Sequence, residues 1–385
     1  MGQSRIVFTH AHRQRFGTNT TGTGSVHERG RWPGIELYYP PIKFVPKRGA
    51  YEEIEEAESR FWRWGATTEA HTIIFDLEDG CQRKAESRAL LRKVLPKLDR
   101  PDLMVALRIN QFRTSEYERD LELVSDLKDH IQVVILAKAG EEYGAAEIRE
   151  LSSWIVKINA PLAVEPIIEH PKSLKIAEQI LGYDSVCHVV FGIHDFSKAM
   201  GVHITPRHWL EELRVWRDML LLEARLHGKG VIGGVDPLVG QKLMPSDLTE
   251  DAEVRRWLET EGDEQARVVY EHAKAEAQFG LTGKQVVHPY HIPLCKAAFV
   301  PAPDQVQDQM DILRKAMEAK ALIGGAILHK GEMLDPPMFG KALQTLLRAA
   351  ALGALDAEAT ALAQSVVDAM PDFALRENWP YNVIL

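Results

Sequence analysis

Cysteine is scarce in this sequence: three residues in 385, Cys81, Cys187 and Cys295, with no C-x-x-C pairing. So sparse and odd a set gives no disulfide framework, and a reducing compartment is expected. Long apolar runs are missing too, and none approaches the ~18 residues of a membrane span. The opening "MGQSRIVFTHAHRQRFG" lacks the continuous apolar core of a secretory signal, and Ile6 stands where a myristoylation pattern wants Ser or Thr. A cytoplasmic protein is expected. Basic charge is not in excess. The formal net charge is −9, which argues against nucleic-acid or membrane-surface binding. No G-x-G-x-x-G follows a strand, and no fixed-period repeat is visible.

What is present suits a globular chain with a sizeable core: 45% hydrophobic and 26% charged residues. Residues 17–34, "GTNTTGTGSVHERGRWPG", are rich in Gly and Thr without periodicity, so 1–34 reads as a flexible N-terminal arm. Beyond it, short apolar runs alternate with longer helical patterns. Strands are expected at 35–40, 71–78, 103–110, 132–138, 161–168, 186–192, 231–235 and 284–289. Most are apolar throughout, as strands covered on both faces are. Helices are expected at 51–64, 141–157, 171–181, 207–227 and 249–279. Eight strands with helical crossovers predict an α/β TIM (β/α)8 barrel over 35–303, with an open doubly wound sheet as the alternative. After Pro303 come helical patterns at 304–322, 338–352 and 357–369, a C-terminal extension or lid over 304–385.

A TIM barrel carries its chemistry at the C-terminal ends of its strands. Those ends deliver Glu78 and Asp79, Arg108, Lys138, Glu169, Asp195, Asp236 and His288. Glu169 and Asp195 are the metal candidates, because two hard carboxylates are what Mg²⁺ takes from a protein. His170 and His194 make Zn²⁺ conceivable. In an extended segment each would point away from its neighbouring carboxylate, which favours Mg²⁺. Arg108 offers a planar fork to a carboxylate or carbonyl oxygen, or to a salt bridge with Glu78 or Asp79. Asp76, still inside its strand, reads as structural. Lys84 and Arg88, four apart on a helix, are either a solvated face or part of an anion site.

In order, "FDLEDGCQRKAESRALL", "LRIN", "VEPIIEHPKSLKIAEQI", "FGIHDFSKAMG" and "GKQVVHPYHIPLCKAAFVPAPDQV" appear along the chain. With these motifs, residues 35–345 resemble the citrate lyase β-subunit-like family, which includes malyl-CoA and citramalyl-CoA lyases. The resemblance implies a Mg²⁺-dependent carbon–carbon lyase on a TIM barrel, acting on a β-hydroxy acid or its CoA thioester through an enolate. It assigns the metal to Glu169 and Asp195, and substrate binding to Arg108, Asp79, Lys84, Arg88, Gly192 and Ile193. Arg108 and Glu78 fall at catalytic positions. "KGEMLDPPM" resembles the family's lid motif and nominates Asp335 as a catalytic carboxylate that reaches a neighbouring subunit, hence a homotrimer or hexamer. Three departures stand out: Lys138 sits in "LAKAG" rather than after proline, His291 replaces a glutamine, and Lys43, Lys47 and Arg48 replace an N-terminal arginine motif. The last touches the region expected to hold CoA phosphates. A class II pyruvate-type aldolase on free acids, a specialised-metabolite lyase without CoA and a non-catalytic, partner-binding barrel are the other readings.

Overall fold

The computed structural model describes residues 34–369. Eight parallel strands close a barrel: β1 (Ile35–Tyr39), β2 (Thr72–Asp76), β3 (Met104–Ile109), β4 (Val133–Leu136), β5 (Ala163–Ile168), β6 (His188–Phe191), β7 (Gly230–Gly233) and β8 (Gly283–Val286). Each pairs with its sequence neighbour, and β1 pairs with β8 through Ile35 opposite Lys284 to complete the ring. Every expected strand is present, most of them shortened by a few residues. Their apolar runs are buried on both faces. One face packs inside the barrel around Ile74, Met104, Ala106, Val133 and Ile135; the other packs under the outer helices. Among the described residues no helix is long and apolar enough to cross a membrane. The arm expected over 1–34 lies outside the described residues, apart from Gly34.

The helices break where the sequence pattern ran on. The 249–279 stretch is two helices, Asp251–Thr260 and Glu264–Phe279, parted at Gly262; Asp263 caps the second by accepting the Ala266 amide at 2.8 Å. The 207–227 stretch divides at Leu213, and 171–181 divides at Ile176. Neither residue is a sequence breaker. The first expected helix is short, Ile54–Arg60, and ends in a π turn over Phe61–Gly65. A small hairpin, Phe44–Val45 with Ala50–Tyr51, was not expected.

Beyond the barrel, α1 (Pro303–Glu318), α2 (Pro336–Ala351) and α3 (Ala357–Ala369) pack around an apolar cluster of their own that includes Leu313, Phe339, Leu343 and Leu346. An antiparallel hairpin, Ile327–His329 with Glu332–Leu334, turns at Lys330–Gly331 and leads into α2.

Two groups of buried charge sit in the barrel. Asp236, expected at the rim, is fully buried. It accepts from Trp209 Nε1 at 2.9 Å and His272 Nδ1 at 2.7 Å, and lies 3.1 Å from Lys284 Nζ. Lys284 also donates to Glu276 at 2.7 Å and to the Gly234 carbonyl at 2.8 Å. Asp236 therefore closes the wall between β7 and β8 and does not face the mouth. The second group is Glu36 and Glu165, both buried inside the barrel. Burial pushes Glu36 up to about 7, and burial with the nearby Glu36 charge pushes Glu165 well above the usual carboxylate range. Burial of this kind favours the protonated, neutral carboxyl.

Lys284→Met leaves Asp236 and Glu276 buried without their shared cation. A loss of about 3–5 kcal/mol is expected, seen as a lower urea midpoint with an unchanged slope.

Candidate active site

A cavity of about 340 Å³ opens at the C-terminal end of the barrel. Its walls include Tyr38 from β1, Asp76 from β2, Arg108 from β3, Glu169 after β5, Gly192–Asp195 after β6 and Gln285 from β8. The strand-end argument thus brings Arg108, Glu169, Gly192, Ile193 and Asp195 together.

Asp76 organises one wall. It stands opposite Arg108 in the β2–β3 register, and its two oxygens take Arg108 Nε and Nη2, each at 2.7 Å. The same carboxylate accepts the amides of Glu78 at 3.0 Å and Gly80 at 3.1 Å. A Cβ on Gly80 would lie 2.3 Å from Asp76 Oδ2, so the tight turn of "DLEDG" requires glycine. The expected partner of Arg108 was Glu78 or Asp79. The pair with Glu78 is present, Oε2 lying 3.6 Å from Nη1, but the closer, two-pronged partner is Asp76. Tyr38 underlies the guanidinium at 4.9 Å, and Nη1 is the end that Asp76 does not hold.

Glu78 is buried and tied to Lys138, whose Nζ lies 2.5 Å from Oε1. Asp79 is exposed, 3.2 Å from the same ammonium. Neither residue lines the cavity. Lys138, which follows Ala137 where the family pattern has proline, braces the acidic loop. Its backbone is left-handed at φ 54°, and its amide donates to Glu169 Oε1 at 2.6 Å.

Two substrate-binding assignments are corrected. Lys84 directs its ammonium at the carbonyls of Leu77 and Glu78, each at 2.6 Å, and so fastens the loop. Arg88 is buried and bound to Asp120 at 2.8 Å and Glu116 at 2.5 Å, linking two outer helices. A third correction concerns Gly192. Its amide donates to the Ile168 carbonyl at 3.0 Å and is unavailable to a carboxylate. The free donors begin one residue later, because Gly192 caps the helix Ile193–Met200 and the first amides of a helix have no partner within it.

Glu169 and Asp195 face the cavity from adjacent strand ends. Burial, with the Asp195 charge adding to it, pushes Glu169 up to about 8, against the opposing pull of the Lys138 amide. A Cβ at Gly192 would come within 2.6 Å of the Glu169 Cβ, so glycine lets the β6 end pack against this carboxylate. Asp195 is not in an extended segment; it lies in the first turn of its helix, and His194 lines the cavity beside it. The argument that His194 points away therefore fails. His170 does turn aside, its Nδ1 accepting the Lys172 amide at 3.1 Å. Among the described residues no group of three His, Cys, Asp or Glu side chains converges on a metal position. Two hard oxygens with room beside them fit Mg²⁺, which fills its other positions with water and ligand. Asp335 caps α2 by position, makes no side-chain cap bond, is exposed and lies outside this cavity. His288 and His291 are not in its wall either; His291 is buried, and burial pushes it down to about 4.

Residues 58–241 match the HpcH/HpaI aldolase/citrate lyase family model. The matched stretch runs from β2 to β7 of the barrel. The citrate lyase subunit beta-like protein of Deinococcus radiodurans is 28% identical over 281 residues, 71% of this chain and 87% of the relative. The L-malyl-CoA/beta-methylmalyl-CoA lyase of Cereibacter sphaeroides is 25% identical over 295 residues, 70% of this chain and 84% of the relative. CitE of Mycobacterium tuberculosis, solved in complex with magnesium, acetoacetate and coenzyme A, matches with a TM-score of 0.55 at 23% identity, covering 82% of this chain and 97% of that one. That structural likeness speaks for the shared fold.

Tyr38, Asp76 and Gln285 were missed as site residues. The signal for Asp76 was present: it is the in-register neighbour of an arginine at the end of the adjacent strand. The Glu169 shift makes a prediction for the metal-free protein. A carboxyl raised from 4.5 to about 8 holds a proton that the unfolded chain has released, so stability falls as pH rises through that window. Melting curves in chelator should show this slope, and Glu169→Gln should flatten it. An unchanged slope would count against the shift.

Proposed function

We propose that the chain is a Mg²⁺-dependent carbon–carbon lyase cleaving a β-hydroxy acid, or its CoA thioester, by a retro-aldol or retro-Claisen reaction. The observation that carries this reading is the pairing, in one cavity, of the Glu169–Asp195 carboxylates with the Asp76-held Arg108. Glu169 and Asp195 would hold the ion. When bound, Mg²⁺ supplies a Lewis acid and a template for ligand oxygens.

In the reaction the hydroxyl loses its proton and the bond between the carbinol carbon and the carbon next to the acyl group breaks. The electron pair moves onto the acyl fragment as an enolate, which then takes up a proton. Arg108, clamped by Asp76 and backed by Tyr38, offers its Nη1 edge to an oxygen on which charge builds. The first-turn amides at Ile193 and His194 receive a carboxylate at the positive end of their helix. Glu78, bound to Lys138, positions the loop; the proton-moving role goes to another group.

Asp335 is the proposed proton carrier, supplied by a second copy of the chain. It is exposed near Leu328, Met333 and Met338, which are exposed too and form an apolar face suited to subunit contact. Lys43 and Lys47 are exposed at the small hairpin and are the proposed contacts for CoA phosphates, since Arg48 is engaged by Glu56 at 2.8 Å. Free β-hydroxy acids are the second reading.

The test is turnover of β-hydroxyacyl-CoA thioesters and of the free acids, with Mg²⁺ or chelator, followed by oxoacid release. Glu169→Gln and Asp195→Asn should each lower metal-dependent turnover at least about 100-fold with an unchanged far-UV spectrum. Full turnover in either variant overturns the site. Turnover of free acids alone selects the aldolase reading, and absence of both Mg²⁺ binding and turnover selects the non-catalytic one.

A further inference from the structure

Gln285 lines the cavity at the barrel mouth and also bonds to a carboxyl beneath it. Its Oε1 accepts the Tyr38 phenol O–H at 3.1 Å, and its Nε2 donates to Glu36 Oε2 at 3.0 Å. Tyr38 is in the cavity wall too, with its ring 4.9 Å from the Arg108 guanidinium carbon. The β1–β8 register sets Glu36 opposite Gln285, and Tyr38 follows two residues on, on the same inward face. A buried carboxyl thus stands one amide away from the wall of the mouth.

The groups that face Glu36 are Glu165 on β5, Cys187 just before β6 and Tyr38 on its own strand. Arg108, Asp76 and Glu169 lie beyond Tyr38 and act on its phenol. Burial with the Glu36 charge keeps Glu165 neutral, whereas burial pushes Glu36 up only to about 7. Glu36 therefore changes charge near neutral pH. An ionised Glu36 has no proton to give. It fixes the Gln285 amide with Nε2 toward itself and Oε1 toward Tyr38, so the phenol proton is held inside the barrel. A protonated Glu36 can donate to Oε1 instead. The amide then turns over, Nε2 meets the phenol oxygen, and the phenol proton is released to the cavity.

We propose that Glu36 is a positioning residue for anions at the barrel mouth, acting through Gln285 on the Tyr38 phenol. Its charge acts in the same direction as its hydrogen bond. Beneath the floor and shielded from water, a negative carboxylate repels an anion above it. Carboxylate ligands therefore bind tightly when Glu36 is neutral and more weakly as pH rises through its titration. This coupling is one of binding and holds whether or not the chain is a lyase.

Pyruvate stays ionised at about pH 6 and above, and excess Mg²⁺ keeps a metal-bound Glu169 ionised. The full chain is titrated with pyruvate by calorimetry under these conditions. Affinity at about pH 6 should exceed that at about pH 8 by at least about fivefold. Binding at about pH 7 should take up protons, read from paired buffers. Glu36→Gln should remove both effects, and Tyr38→Phe should reduce the first. The same difference should survive in a His194→Asn background, since His194 also lines the mouth. In wild type with Mg²⁺ and no pyruvate, an infrared band of a neutral carboxyl should fade over the same pH range and be missing in Glu36→Gln. Should Glu36→Gln fail to fold, proton uptake and the fading band in the wild type decide the question. A repeat in chelator separates this coupling from the proposed function: unchanged pyruvate binding without Mg²⁺ counts against the metal site and not against Glu36. Equal pH dependence in Glu36→Gln, tighter binding at high pH, no proton uptake, or no pyruvate binding at all would each overturn the proposal.

Discussion

The mouth of the barrel depends on one ion pair, the two-pronged contact between Asp76 and Arg108. The register of β2 and β3 sets the two residues side by side, so the fork forms without any loop having to search for it. Because both prongs and two loop amides converge on one carboxylate, the contact fixes the arginine and the turn together. The turn sends Glu78 inward to Lys138, and the Lys138 amide then holds Glu169. A chain of contacts therefore runs from β2 through β3 and β4 to the carboxylate after β5. Charge-assisted bonds of this kind, shielded from water, hold geometry better than exposed pairs do.

The barrel was legible because its information is local. Each strand is an apolar run, and that pattern survives without knowledge of its partners. The strand ends were legible for the same reason, and so the cavity collected Arg108, Glu169 and Asp195. The errors came from partners distant in sequence. Arg88 finds Asp120 and Glu116 about one helix–strand–helix unit further on, and nothing near "KAESRALL" announces them. Lys84 is closer to its acceptors, but those are backbone carbonyls, which leave no mark on the residue pattern. Helix breaks at Leu213 and Ile176 were invisible because tertiary packing, not propensity, ends those helices. The error at His194 was one of periodicity: alternation of faces holds for a strand, whereas consecutive residues at a helix start can share an opening.

Below the mouth, the barrel interior carries more acid than its apolar strands suggest. Tyr38 donates to Gln285 at 3.1 Å, and Gln285 donates to Glu36 at 3.0 Å, with Glu165 buried in the same interior. Burial raises both carboxyls and so favours their neutral forms, which lowers the cost of burying them. Gln285, with a donor on one side of its amide and an acceptor on the other, ties this pair to the phenol beneath Arg108. The cavity floor and the interior are thus one hydrogen-bonded assembly, and burial pushes the Tyr38 phenol up, so it remains a donor.

The C-terminal helices pose a different physical problem. They have their own apolar cluster, yet their hairpin leaves Leu328 and Met333 in water, at 72% and 74% exposure, next to a carboxylate that makes no cap bond. Exposing two large apolar side chains on a short strand pair costs solubility and invites association. An intramolecular role for that face would have placed it against the barrel. At the other end of α2, Arg348 and Phe299 do meet across the junction. One end of the extension is therefore anchored to its own barrel while the other presents an apolar, acidic tip outward. That is the arrangement expected of an element whose tip serves a second copy of the chain. On the proposed function, the mouth of each barrel, which brings together Glu169, Asp195 and Arg108 without Asp335, would be completed by contact between copies.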